Sequence, residues 1–212
     1  MFAYCCNNPV MCSDPSGLIN FWGVVAGAFL GVLAIATFAV AASVMAAASP
    51  LLAVVGSSVL ATVGTALTEA AAVTTVGAIV ETTVVYDITV TTGYDKNGCS
   101  LLYDFSTDDS EVYLHTGVQN KYEFGASLGS GFVVNYDGPG SYGGRFYDAS
   151  YSTSIEGTNV GLDMCTAPEN FCIDKPFEKG TSAFLFTSGM SVSLDTNQGG
   201  LTYSYDYYWK VK

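Results

Sequence analysis

The chain changes its pattern of apolar and polar positions once, near residue 82. Before it, apolar residues run together. From Pro15 to Thr68 there are 54 residues with no charge. Phe21 to Ala48 gives 28 residues without a charge or a proline, and as a helix this stretch would be about 42 Å long, more than the roughly 30 Å of a hydrocarbon core requires. Eleven of the 28 are Val, Ile, Leu or Phe. Their insertion gains about 3–6 kcal/mol, with no charge to offset it. Ser49-Pro50 interrupts the run. A second apolar run, Leu51 to Leu67, is 17 residues long and only marginally able to span; Glu69 and Glu81 close it. The pattern predicts a helical hairpin over residues 19–81 whose first arm inserts more readily than its second.

After residue 82 the period becomes two. Tyr203, Tyr205, Tyr207 and Trp209 fall on one face, with Thr202, Ser204, Asp206 and Tyr208 on the other. Phe184, Phe186, Met190, Val192 and Leu194 share a face, as do Tyr122, Phe124, Ala126 and Leu128. Further strands are expected at 83–92, 100–106, 111–118, 131–136, 145–152 and 154–163. Turn signals stand between them at Asp95-Lys96-Asn97-Gly98, Asp137-Gly138-Pro139-Gly140 and Asn197-Gln198-Gly199-Gly200. Residues 82–212 therefore read as an antiparallel barrel or sandwich. The fold class is α+β: an N-terminal apolar helical hairpin of transmembrane type, then an all-β domain. Charges within many strands and an incomplete apolar face argue against a transmembrane β-barrel.

Within the first arm, Gly23, Gly27 and Gly31 recur every four residues. On a helix they form one smooth ridge, which lets a second backbone approach closely. The expectation is helix packing through these glycines, extending to association with a second copy in a lipid bilayer.

Charge narrows the partners. The net charge is −12, and all seven basic residues lie between Lys96 and Lys212. Nucleic-acid binding, which rests on Lys and Arg neutralising phosphate, is excluded on this balance. So is electrostatic docking on anionic lipid; membrane contact must come from apolar burial. A secretory signal peptide is disfavoured, because nothing basic precedes the apolar block and the block is too long.

Residues 7–18, Asn-Asn-Pro-Val-Met-Cys-Ser-Asp-Pro-Ser-Gly-Leu, resemble the end of the Rhs (YD-repeat) associated core of polymorphic toxins. The resemblance covers about 18 of the 212 residues. In that family the motif closes a β-shell cage and carries an aspartyl self-cleavage site, followed by a variable and often toxic C-terminal cargo. It implies that Asp14 matches one of two paired aspartates, with the cut after Leu18. Met1 begins inside the motif, so the cage, the repeats and the partner aspartate are missing. One carboxylate does not supply both acid and base, and the chain alone should stay intact between Leu18 and Ile19. The resemblance divides the chain into a core remnant (1–18), the hairpin (19–81) and a β-domain (82–212). It further implies a membrane-active toxin tail, membrane-associated or secreted, at a bacterial cell surface or a target-cell membrane. An Rhs cage and an immunity protein are the implied partners. The alternative is a β-domain effector or ligand-binding module, with the hairpin as anchor or cage-packed spacer.

The search for catalytic chemistry finds no constellation. His115 sits mid-strand without a partner visible in sequence. Arg145, Ser152-Thr153-Ser154 and Glu156 contain the letters of an ADP-ribosylating site at the wrong spacing. Asp195, Asn197, Gly200 and Asp206 mimic part of a calcium loop but read as a hairpin turn. No cofactor is expected, and no zinc spacing is met, so no metal is expected either. Cys165 and Cys172 flank a loop containing Pro168 and would be free to pair outside the cell.

Overall fold

The computed structural model describes residues 21–47, 50–134, 141–155, 158–167, 181–193 and 199–212. Asp14, Leu18 and Cys172 lie outside the described residues, as do the segments 135–140 and 194–198 at two of the expected turns. Two helices, α1 (Phe21–Ala47) and α2 (Pro50–Val80), precede six strands: β1 (Thr83–Asp104), β2 (Asp109–Val134), β3 (Gly144–Ile155), β4 (Thr158–Thr166), β5 (Ser182–Ser193) and β6 (Gly199–Lys210).

The second arm of the hairpin is the longer one, contrary to the expectation from its apolar run. Glu69 does not end α2, because Ser188 on β5 donates a hydrogen bond to its Oε1 at 2.8 Å. The helix runs on to Val80 and ends in a reverse turn: Glu81 takes a left-handed φ of 51°, and the Thr82 amide donates to the Gly77 carbonyl at 3.1 Å. Ser58–Val80 is long and apolar enough to cross a membrane, and 39% of its most apolar 18 residues are buried. Its threonines do not leave hydroxyls stranded. Thr62, Thr65, Thr68, Thr74 and Thr75 each donate to the carbonyl four residues back, at 2.6–2.9 Å.

The glycine ridge is used inside the hairpin. A Cβ on Gly23 would collide with Ala78 and Phe105, and one on Gly27 with the Thr75 hydroxyl, with the Ala71 carbonyl oxygen 3.0 Å away. Gly31 is looser, with only the Ala71 methyl at 4.0 Å. Elsewhere on α1, Val25, Phe29, Val32, Leu33 and Ile35 are all exposed.

All strand pairings are antiparallel. Strand β2 pairs with β6 over Tyr113–Gln119 and with β5 over Glu123–Val134, and β5–β4–β3–β6 completes a closed ring. Strand β1 pairs only with β2. This hairpin bends where Gly93, at φ 74°, precedes a register shift that sets residues 119–122 against Tyr94 alone. The Asp95–Gly98 segment, expected as a turn, is strand: Lys96 pairs with Gly117 and Gly98 with His115. Turn-forming residues are tolerated here because the true turn lies further on. It falls at 105–108, where Asp104 Oδ1 accepts from the Ser106 amide at 2.8 Å. The ring is narrow, and it needs glycines on its inner wall. A Cβ on Gly131 would strike the Phe184 carbonyl oxygen, and one on Gly189 would lie 2.7 Å from that of Ala126.

The barrel's sidedness is its main surprise. The apolar faces of β2, β5 and β6 point outward: Phe124, Phe186, Val192, Tyr203, Tyr205, Tyr207 and Trp209 are exposed. The charged and hydroxyl-bearing faces point inward. Several of the charges that argued against an apolar outer surface, Asp87, Lys96, Asp148, Asp163 and Asp206, are thus inside the barrel, while Asp95 and Arg145 are exposed. A ring of five strands is well short of the roughly eight of the smallest transmembrane barrels. One end of the lumen is plugged by an apolar cluster that includes Val85, Leu102, Tyr113, Tyr142, Phe146 and Tyr208. Helix α2 covers part of the outer wall, where Val73, Ala78, Val84 and Phe105 pack together, with the Thr74 and Tyr86 hydroxyls 2.6 Å apart.

Candidate functional site

The polar part of the lumen is the candidate site. Four strands deliver its charged groups because each places them on inward positions: Lys96 and Asp87 from β1, Asp148 from β3, Asp163 from β4 and Asp206 from β6. Lys96 Nζ lies 3.1 Å from Asp148 Oδ2 and 3.0 Å from Asp206 Oδ2, and it donates to Ser204 Oγ at 2.9 Å. The two carboxylates are almost completely buried, with side-chain exposures of 2% and 0% against 12% for the lysine. Ser204 donates in turn to Asp148 Oδ2 at 3.2 Å. Cys165, opposite Asp148 on β4, has a free and buried thiol.

Acids outnumber the cation, and burial decides how they share protons. Burial pushes Asp148 well above the ordinary carboxylate range, and its hydrogen bond to Asp206 adds to this, although Lys96 pulls the other way. Asp206 is held below that range: burial would raise it, but the hydrogen bond from Asp148 and the charge of Lys96 outweigh burial. Asp148 is therefore the protonated partner and Asp206 the carboxylate. Burial lifts Asp163 to about 6, with Lys96 opposing.

A second cluster joins the first. His115 Nε2 lies 3.1 Å from Asp87 Oδ1, and the ring stacks on Tyr208 with centroids 4.7 Å apart. The partner that sequence alone did not reveal is thus Asp87, 28 residues away. Ser100 donates to the same Asp87 oxygen at 2.5 Å, and Thr89 to Oδ2 at 2.6 Å. Burial acts to raise Asp87, but His115, Ser100 and Thr89 together hold it below the usual value. The group is not a nucleophilic triad. The serine bonds to the carboxylate and not to the imidazole, so nothing activates its oxygen.

Beside these groups lies a cavity of about 100 Å³, lined by Asp87, Lys96, Glu123 and Asp163 together with Thr89, Thr91, Gln119, Asn159 and Thr187. That is room for several waters, and far below the few hundred Å³ of a typical small-molecule pocket. Asp148, Asp163 and Cys165 bring ligand atoms within 4.8 Å of one another, a spacing a metal ion would accept. The Lys96 ammonium, 3.1 Å from Asp148, already fills the cationic role there.

The remaining sequence candidates do not converge. Arg145 is exposed and pairs across to Tyr207, whereas Ser152 faces the lumen from the other side of the same strand. Sequence reasoning missed Lys96, Asp148, Asp163 and Asp87. The available signal was their shared parity with Ser204, Asp206 and His115 on polar strand faces.

The titration of Asp163 has a measurable consequence. Its folded value lies above the ordinary 3.8, so the protonated form stabilises the fold. That contribution is complete below the unfolded value and is lost as pH rises through about 6. Asp87 and Asp206 are lowered, so their contributions appear below this window, not in it. The thermal midpoint should therefore fall as pH rises from 3.8 to about 6. Asp163→Asn should make the curve less steep there, the remaining slope belonging to Asp148, which burial also raises. An unchanged slope in the variant would remove Asp163 as the cause.

Comparison of the chain with protein-family models, curated proteins and solved structures gives no match.

Proposed function

We propose that this chain is a membrane-inserting module, with the α1–α2 hairpin as its lipid-facing element and the barrel's apolar outer wall held against the bilayer surface. The observation that carries the reading is the distribution of exposed apolar side chains. Val25, Phe29, Val32 and Ile35 on α1, and Tyr203, Tyr205, Tyr207 and Trp209 on β6, face outward while charge is gathered inside the barrel. Water is a poor solvent for such a surface, and contiguous apolar patches of this kind mark membrane or partner contacts. Tyrosine and tryptophan suit the lipid–water interface, where an apolar body and a polar tip are both accommodated. With a net charge of −12, attraction to anionic headgroups contributes nothing. The resemblance of residues 7–18 to the Rhs core supports reading this module as the membrane-active tail of a polymorphic-toxin-type protein.

A polar-ligand-binding barrel anchored by the hairpin is the second reading, favoured by the polar cavity. Its volume of about 100 Å³ limits any occupant to an ion or a very small polar molecule.

Liposome flotation of the full chain tests the first reading. The protein should float equally with neutral and anionic vesicles and should resist high salt. Val32→Asp places a charge on an exposed position of α1, so it leaves the packing of the fold alone. At about 2.5–3.5 kcal/mol for a central aspartate, it should cut membrane recovery by about tenfold or more. Recovery of the unmodified chain as a detergent-free soluble monomer would end the proposal.

A further inference from the structure

We propose that Lys96 and Asp148 condense into an intramolecular amide that staples β1 to β3 across the barrel. The geometry supplies each part of the reaction. The nucleophile, Lys96 Nζ, lies 3.1 Å from Asp148 Oδ2. The base, Asp206 Oδ2, lies 3.0 Å from the same nitrogen. Ser204 donates to Asp148 Oδ2 at 3.2 Å, where negative charge would develop on the carboxyl oxygen. Directly beneath, Phe146 and Tyr208 occupy the next inward positions on the strands that carry the two aspartates, and both are buried. They close that side of the reacting groups to water.

The step balances without an oxidant or a co-reactant. Asp206 takes one proton from the Lys96 ammonium, leaving a neutral amine. The amine attacks the carboxyl carbon of Asp148, forming the C–N bond. Asp206 passes that proton to the departing hydroxyl and takes the second proton from the nitrogen, ending protonated; the C–O bond breaks, and one water leaves into the polar cavity. Burial keeps Asp148 protonated and Asp206 ionised, which gives each the form its role requires. In dilute solution water opposes such a condensation. Two groups held at hydrogen-bond distance by a folded barrel react at a far higher effective concentration.

The link would matter most to β1. Among the described residues that strand pairs with β2 alone, so its other edge has no described backbone partner in the sheet. An amide to β3 would fix it to the opposite wall.

Intact-mass spectrometry of the denatured full chain decides the question. The expected mass is one water below that of the sequence. A proteolytic digest should yield the peptides containing Lys96 and Asp148 as a single joined species. Asp148→Asn should lose ammonia in place of water and so reach the same final mass as the unmodified chain. Asp206→Asn, with its tyrosine circular dichroism retained, should stay at its full sequence mass. An unmodified chain at the full sequence mass overturns the proposal, as does a joined peptide pair linked through Asp206 or Asp163. Rapid coupling in Asp206→Asn overturns the assignment of the base.

Discussion

Replacing Lys96 with Met should cost the folded state about 3–5 kcal/mol, the usual penalty for leaving a buried ion without its partner. The substitution preserves most of the side chain's volume, so packing contributes little. The loss comes from Asp206, a fully buried carboxylate left without the lysine, from the Lys96 hydrogen bonds to Asp148 and Ser204, and from the cross-strand amide. The two contributions separate by pH. Acid protonates the abandoned Asp206 carboxylate, so the electrostatic part should shrink between about pH 7 and about pH 4. Loss of a covalent staple should persist at both. Urea titration of the detergent-solubilised chain, followed by the near-ultraviolet signal of the inward tyrosines Tyr113, Tyr142 and Tyr208, measures both. Equal midpoints for the variant and the unmodified chain would show that the lysine is not a structural centre.

Gly27→Leu should force the hairpin apart, at about 1–3 kcal/mol or more. A Cβ at this position meets the Thr75 hydroxyl, and behind it the Ala71 carbonyl oxygen at 3.0 Å and the Thr75 amide nitrogen at 3.1 Å. Two of those atoms are backbone, so α2 itself must retreat. Gly31→Leu is the matched control, because only the Ala71 methyl is near, at 4.0 Å. Leucine is apolar, so recovery in the membrane fraction should hold or improve for both. Protease sensitivity of the α1–α2 connection and the thermal midpoint should change in the first variant and barely in the second. Identical behaviour of the two would mean that the glycine spacing is incidental to packing.

Both predictions bear on how much the chain revealed before its fold was known. The four-residue interval of Gly23, Gly27 and Gly31 was legible because a helix repeats every 3.6 residues, whatever it packs against. The identity of the packing partner was not. A smooth ridge accepts any close backbone, and here α2 of the same chain arrives first. The length of α2 was also hidden. Glu69 reads as the end of an apolar run, and only Ser188, 119 residues away, makes its burial tolerable.

The β-domain divides in the same way. Local sequence determined the period of two, most strand positions and the change of class near residue 82, because alternation and turn chemistry act over a few residues. It also separated the aromatic face of Leu201–Trp209 from the face carrying Ser204 and Asp206. Which face would turn inward was left open, since an isolated strand has no inside. Ring closure through β2–β6 settled that, gathering the acids around Lys96 and leaving Tyr203, Tyr205, Tyr207 and Trp209 outside. The Asp95–Gly98 segment misled for the same reason. Its residues favour a turn locally, but the long pairing of β1 with β2 and the ion pairs of Lys96 reward extension more. The site is a product of all six strands brought together by closure, and its chemistry existed nowhere in the sequence as a contiguous motif.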